Sequence, residues 1–111
     1  MPPREWRLRV EDILEAVAKI ERYVTGLSFE QFRADQKTVD AVVRNLEVIG
    51  EAVRHLSSDH ERLPAGVPWA DIAGMRNILI HEYFGVDLSI IWQTVRHDLP
   101  VLRAQLQQLF K

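Results

Sequence analysis

The run Gly74-Met75-Arg76-Asn77-Ile78-Leu79-Ile80-His81-Glu82-Tyr83-Phe84 sets Arg, Asn, His, Glu and Tyr into an otherwise apolar stretch. With a turn of roughly 100° per residue and Arg76 at zero, Tyr83 falls near -20°, Asn77 near 100° and His81 near 140°, with Glu82 on the far side. Arg76, Asn77, His81 and Tyr83 therefore share one broad arc, but Arg76 and His81 do not stack as an i, i+4 pair would. A second helix or a second subunit must complete any pocket in front of them. The residue types suit phosphate chemistry: Arg is a permanent forked cation, His exchanges a proton near neutral pH, and Asn and Tyr orient groups. No metal is required by that set. The alternative is structural, with Arg76 paired to a carboxylate such as Glu47 or Glu51, His81 a satisfied helix-end histidine and Tyr83 packing.

Glu47 and Glu51 sit one and two positions from the apolar residues Leu46 and Ile49, so either could reach inward to Arg76 or lie on a solvated face. Arg44 and His55 read as solvated. His60 and His97 lack a second ligand at metal spacing and read as surface residues. A glycine-rich phosphate loop, a nucleophile elbow, a His-Glu-x-x-His pair and a dinucleotide fingerprint are all absent. Trp6, Trp69 and Trp92 read as packing rather than base-stacking platforms.

The elements that must carry these residues are helical. Val10, Ile13, Leu14, Val17, Ile20 and Val24 repeat at three and four, which predicts a helix over 5–25 stopped by Gly26. Ser28 and Gln31 form a capping-box pattern opening a short helical turn around Phe29 and Phe32. Asp35 caps a second long helix over 36–57 through Val39, Val42, Val43, Leu46, Ile49, Val53 and Leu56. Residues Ser57 to Pro68 form the one long connection. A third helix starts near Trp69 and ends at Gly85; Asp87 caps a fourth through Ile91, Trp92, Val95 and Leu99, where Pro100 kinks or restarts the chain. Four such stripes predict an all-α up-down bundle of four main helices, a short extra helix and a kinked C-terminal helix, with a homodimer expected from leftover apolar surface.

Composition bounds the rest. The 111 residues make one domain, 1–111, with 47% hydrophobic content, long enough to bury about two thirds of the unfolded surface. Lys and Arg number 14 against 16 Asp and Glu, a formal charge of -2, so any nucleic-acid site must be local. Arg44, Arg54, Arg62, Arg96 and Arg103 are the candidates for a local basic patch. There is no cysteine, which removes disulfides, thiolate metal sites and thiol nucleophiles. Charge at the N-terminus and the lack of a long uncharged run lead us to expect a soluble, cytoplasmic protein without a membrane partner.

The Arg76-Asn-Ile-Leu-Ile-His81-Glu-Tyr83 run resembles the motif of the HEPN superfamily. Arg44 through Ala52, Pro68 through Asn77, and Val86-Asp87 through Trp92 to Asp98-Leu99-Pro100 resemble, in order, the HepT-like toxin family. That resemblance implies a dimer whose motif helices face each other across a composite cleft. It implies a toxin of a type II or type VII-like toxin–antitoxin pair, acting as a metal-independent endoribonuclease without cofactor on an RNA substrate. Its partner would be a minimal nucleotidyltransferase antitoxin, with a larger complex of the two as an extension. Carried onto this chain, Arg76 and His81 are catalytic, Asn77, Tyr83, Glu47 and Glu51 supporting, and Tyr83 also the hydroxyl that the antitoxin would modify with AMP. The competing expectation is a non-catalytic helical dimer that binds a nucleotide or a partner.

Overall fold

The apolar stripes of the first two long helices become buried faces, whereas the third helix carries almost no amphipathic bias. The computed structural model describes residues 4–56, 67–81 and 87–109, and among these every regular element is helical. Helix α1 spans Arg4–Val24, α2 Phe29–Ala34, α3 Gln36–Leu56, α4 Trp69–His81, α5 Leu88–Gln93 and α6 Leu99–Gln108; a π-helical turn at Thr94–Asp98 joins α5 to α6. Central α3 packs against both α1 and α4, α6 returns to α1, and α2 braces α3 and α5. The core is continuous through Val10, Ile13, Val17 and Ile20 of α1, Val42, Ile49 and Val53 of α3, and Leu99, Leu102 and Leu106 of α6. Burying each such side chain contributes about 1.5–3 kcal/mol, an upper estimate because the unfolded chain already hides some surface.

The stop and start signals work as the sequence predicts. Gly26 adopts φ 78°, a left-handed conformation that closes α1 at small cost only for glycine. The Ser28 hydroxyl accepts from the Gln31 backbone N–H while the Gln31 side chain accepts from the Ser28 N–H, a complete capping box. Asp35 accepts from both the backbone N–H and the hydroxyl of Thr38, and Asp87 accepts from the N–H and hydroxyl of Ser89. These bonds, the side-chain hydroxyl first, hold both carboxyls below their ordinary value of 3.8.

Pro100 does not break the last helix at its own position. It occupies the first turn of α6, and the preceding turn widens into the π-helical segment. A proline lacks its N–H and its ring collides with the carbonyl four residues back, here Arg96, so a wider turn accommodates both defects without ending the helix. Upstream, Trp92 sits 5.0 Å from Phe32 and 6.2 Å from Phe29 between ring centroids. Trp6 is buried. These tryptophans serve packing, as expected. The Ser57–Gly66 part of the long connection, including His60 and Arg62, lies outside the described residues, as do residues 82–86, where the third helix was expected to end.

Two outcomes follow for stability. Leu102 is fully buried, so Leu102→Ala should lower the unfolding free energy by about 2–5 kcal/mol in denaturant titration. The Asp35 and Asp87 caps stabilise fully above pH 3.8, and that contribution is lost as pH falls through their lowered folded values. Asn also caps helices but carries no proton to gain, so an Asp35→Asn, Asp87→Asn double variant should show a flatter acid limb than the parent.

Candidate active site

Helices α3 and α4 meet where α3 has no side chain. A Cβ placed on Gly50 would lie 2.8 Å from Arg76 Cβ and 3.3 Å from the Ile72 carbonyl oxygen. Glycine at this position lets the α4 backbone settle directly on α3 and brings the root of the Arg76 side chain beside the next residue, Glu51. Gly74, by contrast, faces open space.

Across this contact Arg76 Nε lies 2.6 Å from Glu51 Oε2, with both side chains about one third exposed (30% and 38%). The approach is ionic rather than a linear hydrogen bond: Oε2 is buried and accepts no well-aligned N–H. The other Glu51 oxygen lies 3.1 Å from His55 Nε2 one turn along α3. Arg76 Nη1 lies 3.5 Å from Asn77 Oδ1, at the outer limit of a hydrogen bond. One edge of the guanidinium is thus held by Glu51, and the remaining N–H donors of its fork are left for a ligand.

Arg76 and Glu51 line an open cleft of about 260 Å³ between α1, α3 and α4. Arg76, Glu51 and Glu47 form part of its wall, with Arg44 from α3 and Arg9 and Asp12 from α1, over a floor of Val48 and Ala52. Glu47 is 3.8 Å from Arg44, not paired with Arg76. Of the two carboxylates the sequence left open, Glu51 is the one that reaches Arg76, and Glu47 lines the same cleft.

His81 closes α4 on the same helix as Arg76; its side chain, and the whole of Glu82 and Tyr83, lie outside the described residues. Two further candidates for a basic patch, Arg103 and Arg96, are held in separate settings. Arg103 pairs with Glu21 across the α1–α6 contact, and Arg96 lies over the Trp92 ring at 5.5 Å. His55, read from the sequence as solvated, is an exposed residue that meets Glu51 as its i, i+4 neighbour; Arg9 and Asp12 were not singled out, because only tertiary packing sets α1 beside α4's arginine. Among the described residues no cluster of three metal-ligating side chains occurs, and no helix is long and apolar enough to cross a membrane.

The fold and this arginine-bearing helix contact define a HEPN-like all-α bundle. The chain belongs to the HepT-like family: the model described as "Ribonuclease HepT-like" matches residues 13–109. It is 45% identical over 102 residues to a protein of Thermococcus cleftensis named as a probable ribonuclease HepT, covering 92% of this chain and 93% of that one. It is 43% identical over 102 residues to a candidate RNase of Caldanaerobacter subterraneus, covering 92% and 91%. A candidate RNase of Methanocaldococcus jannaschii is 39% identical over 111 residues, covering 100% of this chain and 92% of its own. No solved structure matches the chain.

The Gly50 contact gives a direct test. Gly50→Ala gains helix propensity of about 0.5–1 kcal/mol but forces a methyl against backbone atoms that cannot swing aside. Such overpacking costs about 1–3 kcal/mol, so the variant should unfold at lower denaturant than the parent.

Proposed function

We propose that the protein is an endoribonuclease toxin whose active site centres on Arg76 and His81. The observation that carries this reading is the Arg76 guanidinium, anchored on one edge by Glu51 and lining an open cleft, in a chain of the HepT-like family. In this reading the RNA 2′-hydroxyl attacks the adjacent phosphorus, the bond to the 5′-oxygen breaks, and a 2′,3′-cyclic phosphate and a 5′-hydroxyl result. His81 moves the protons, and Arg76 stabilises the charge that builds on the phosphoryl oxygens. Glu51 acts as a positioning residue for Arg76, and Asn77 braces the same guanidinium. These are protein groups only, so the chemistry we propose runs without metal or cofactor.

The dimer belongs to the same proposal. Helix α4 carries apolar residues around its whole circumference, with almost no amphipathic bias, yet it packs mainly on α3. Apolar residues beyond the one packed face need further cover, and a second copy of α4 would cover the open side and bring two His81 residues to one cleft. The partner we propose is a nucleotidyltransferase antitoxin that blocks the site by transferring AMP to Tyr83, setting an anion beside Arg76.

Three measurements test this. Purified protein should cut mixed RNA in excess chelator and leave cyclic phosphate ends, and folded Arg76→Ala and His81→Ala variants should not. Absence of cutting by protein whose intact mass shows a bare Tyr83 would favour the nucleotide- or partner-binding dimer instead. Glu51→Gln should lower kcat about 10- to 100-fold with the fold retained, the scale of losing a group that orients a charge stabiliser; a fully active variant would remove Glu51 from the site. Protein co-expressed with its neutralising partner should carry one added AMP, lost in Tyr83→Phe.

A further inference from the structure

Arg76 is not the only guanidinium facing the cleft. Arg9 reaches it from α1 and Arg44 from α3. Each has a single loose ion pair, Arg9 with Glu5 at 3.9 Å and Arg44 with Glu47 at 3.8 Å, and neither makes a hydrogen bond among the described residues. Their N–H donors are therefore unspent, unlike those of Arg103, which is tied to Glu21. Three arginines from three helices converging on one cleft are an arrangement for more than one anionic group, because a single phosphate is satisfied by one or two forks.

We infer that Arg9 and Arg44 bind the RNA phosphates that flank the one held by Arg76, forming a short backbone track across α1 and α3. The inference rests on the ribonuclease reading and adds to it how substrate is held. No aromatic ring lines the cleft among the described residues, and its floor is the small side chains of Val48 and Ala52, so the track reads backbone rather than base. Asp12, Glu47 and Glu51 share the wall. They oppose a doubly charged terminal phosphate more than a singly charged diester, which suits an internal stretch of chain. A local track of this kind also reconciles RNA binding with a formal charge of -2.

The probe is a short single-stranded oligonucleotide with every 2′-oxygen methylated, which cannot cyclise and so reports binding alone. Its affinity is measured across a salt series for the parent, Arg9→Gln, Arg44→Gln and the double variant, each checked for an unchanged thermal midpoint. Each single substitution should weaken binding about five-fold and reduce the slope of log affinity against log salt by about 0.7, the value for one lost phosphate contact on a single strand. Arg9→Lys and Arg44→Lys should restore the slope, since the charge is kept. In cleavage of unmodified RNA, the loss in the Gln variants should fall mainly in KM. A folded double variant with parental affinity and slope would overturn the track, whether or not the parent cuts RNA. A parent that binds through the track but cuts nothing would overturn the ribonuclease reading and leave the track standing.

Discussion

The close approach of α3 and α4 at Gly50 is the constraint on which the site depends. Any side chain there would stand 2.8 Å from Arg76 Cβ, so the helices could not meet at this spacing. With the gap closed, Glu51 is the residue of α3 that rises directly beside Arg76, and the ion pair at 2.6 Å follows from backbone placement rather than from a long search by flexible side chains. Preorganisation of this kind matters for a charge stabiliser, because a guanidinium already held in place loses little entropy when a phosphate arrives.

The same pair explains why Arg76 tolerates a mostly apolar helix. A half-buried cation without a partner is costly, and a fully satisfied one has no donors left for chemistry. Glu51 occupies one edge of the fork and leaves the other, while His55 takes the second carboxylate oxygen from the solvent side. Arg76 is thereby oriented and still available.

Much of this architecture was legible in the sequence, and the parts that were share a property: they are decided locally. The stripes of α1 and α3, the Gly26 stop, the Ser28–Gln31 capping box and the Asp35 and Asp87 caps each depend on residues within one or two turns. The π-helical turn before Pro100 was not legible in form, because proline dictates only that the ladder be disturbed; whether it breaks, bends or widens is settled by Leu99, Leu102 and Leu106 staying in the core. The choice between Glu47 and Glu51 was undecidable for a related reason. Both lie on the same side of α3, and only the register of α4 upon it, fixed through Gly50, selects one.

Arg9 shows the limit most clearly. Nothing near it in the chain marks it for function, and its i, i+4 relation to Glu5 gives it an ordinary surface role. Its position becomes informative once α1 packs on α3 and places it at the rim of a cleft that already holds Arg44 and Arg76. A near-neutral chain concentrates cationic character in this way, by bringing single arginines from separate helices to one place. Their carboxylate partners lie at 3.8 and 3.9 Å, too loosely placed to consume their donors. In the proposed track an incoming diester would exchange a weak, water-exposed ion pair for a bidentate one, an exchange favourable only when several occur together along a continuous backbone. On that proposal, selectivity for a polymer over a free nucleotide would follow from the number of weak contacts it can make at once, with no single strong site required.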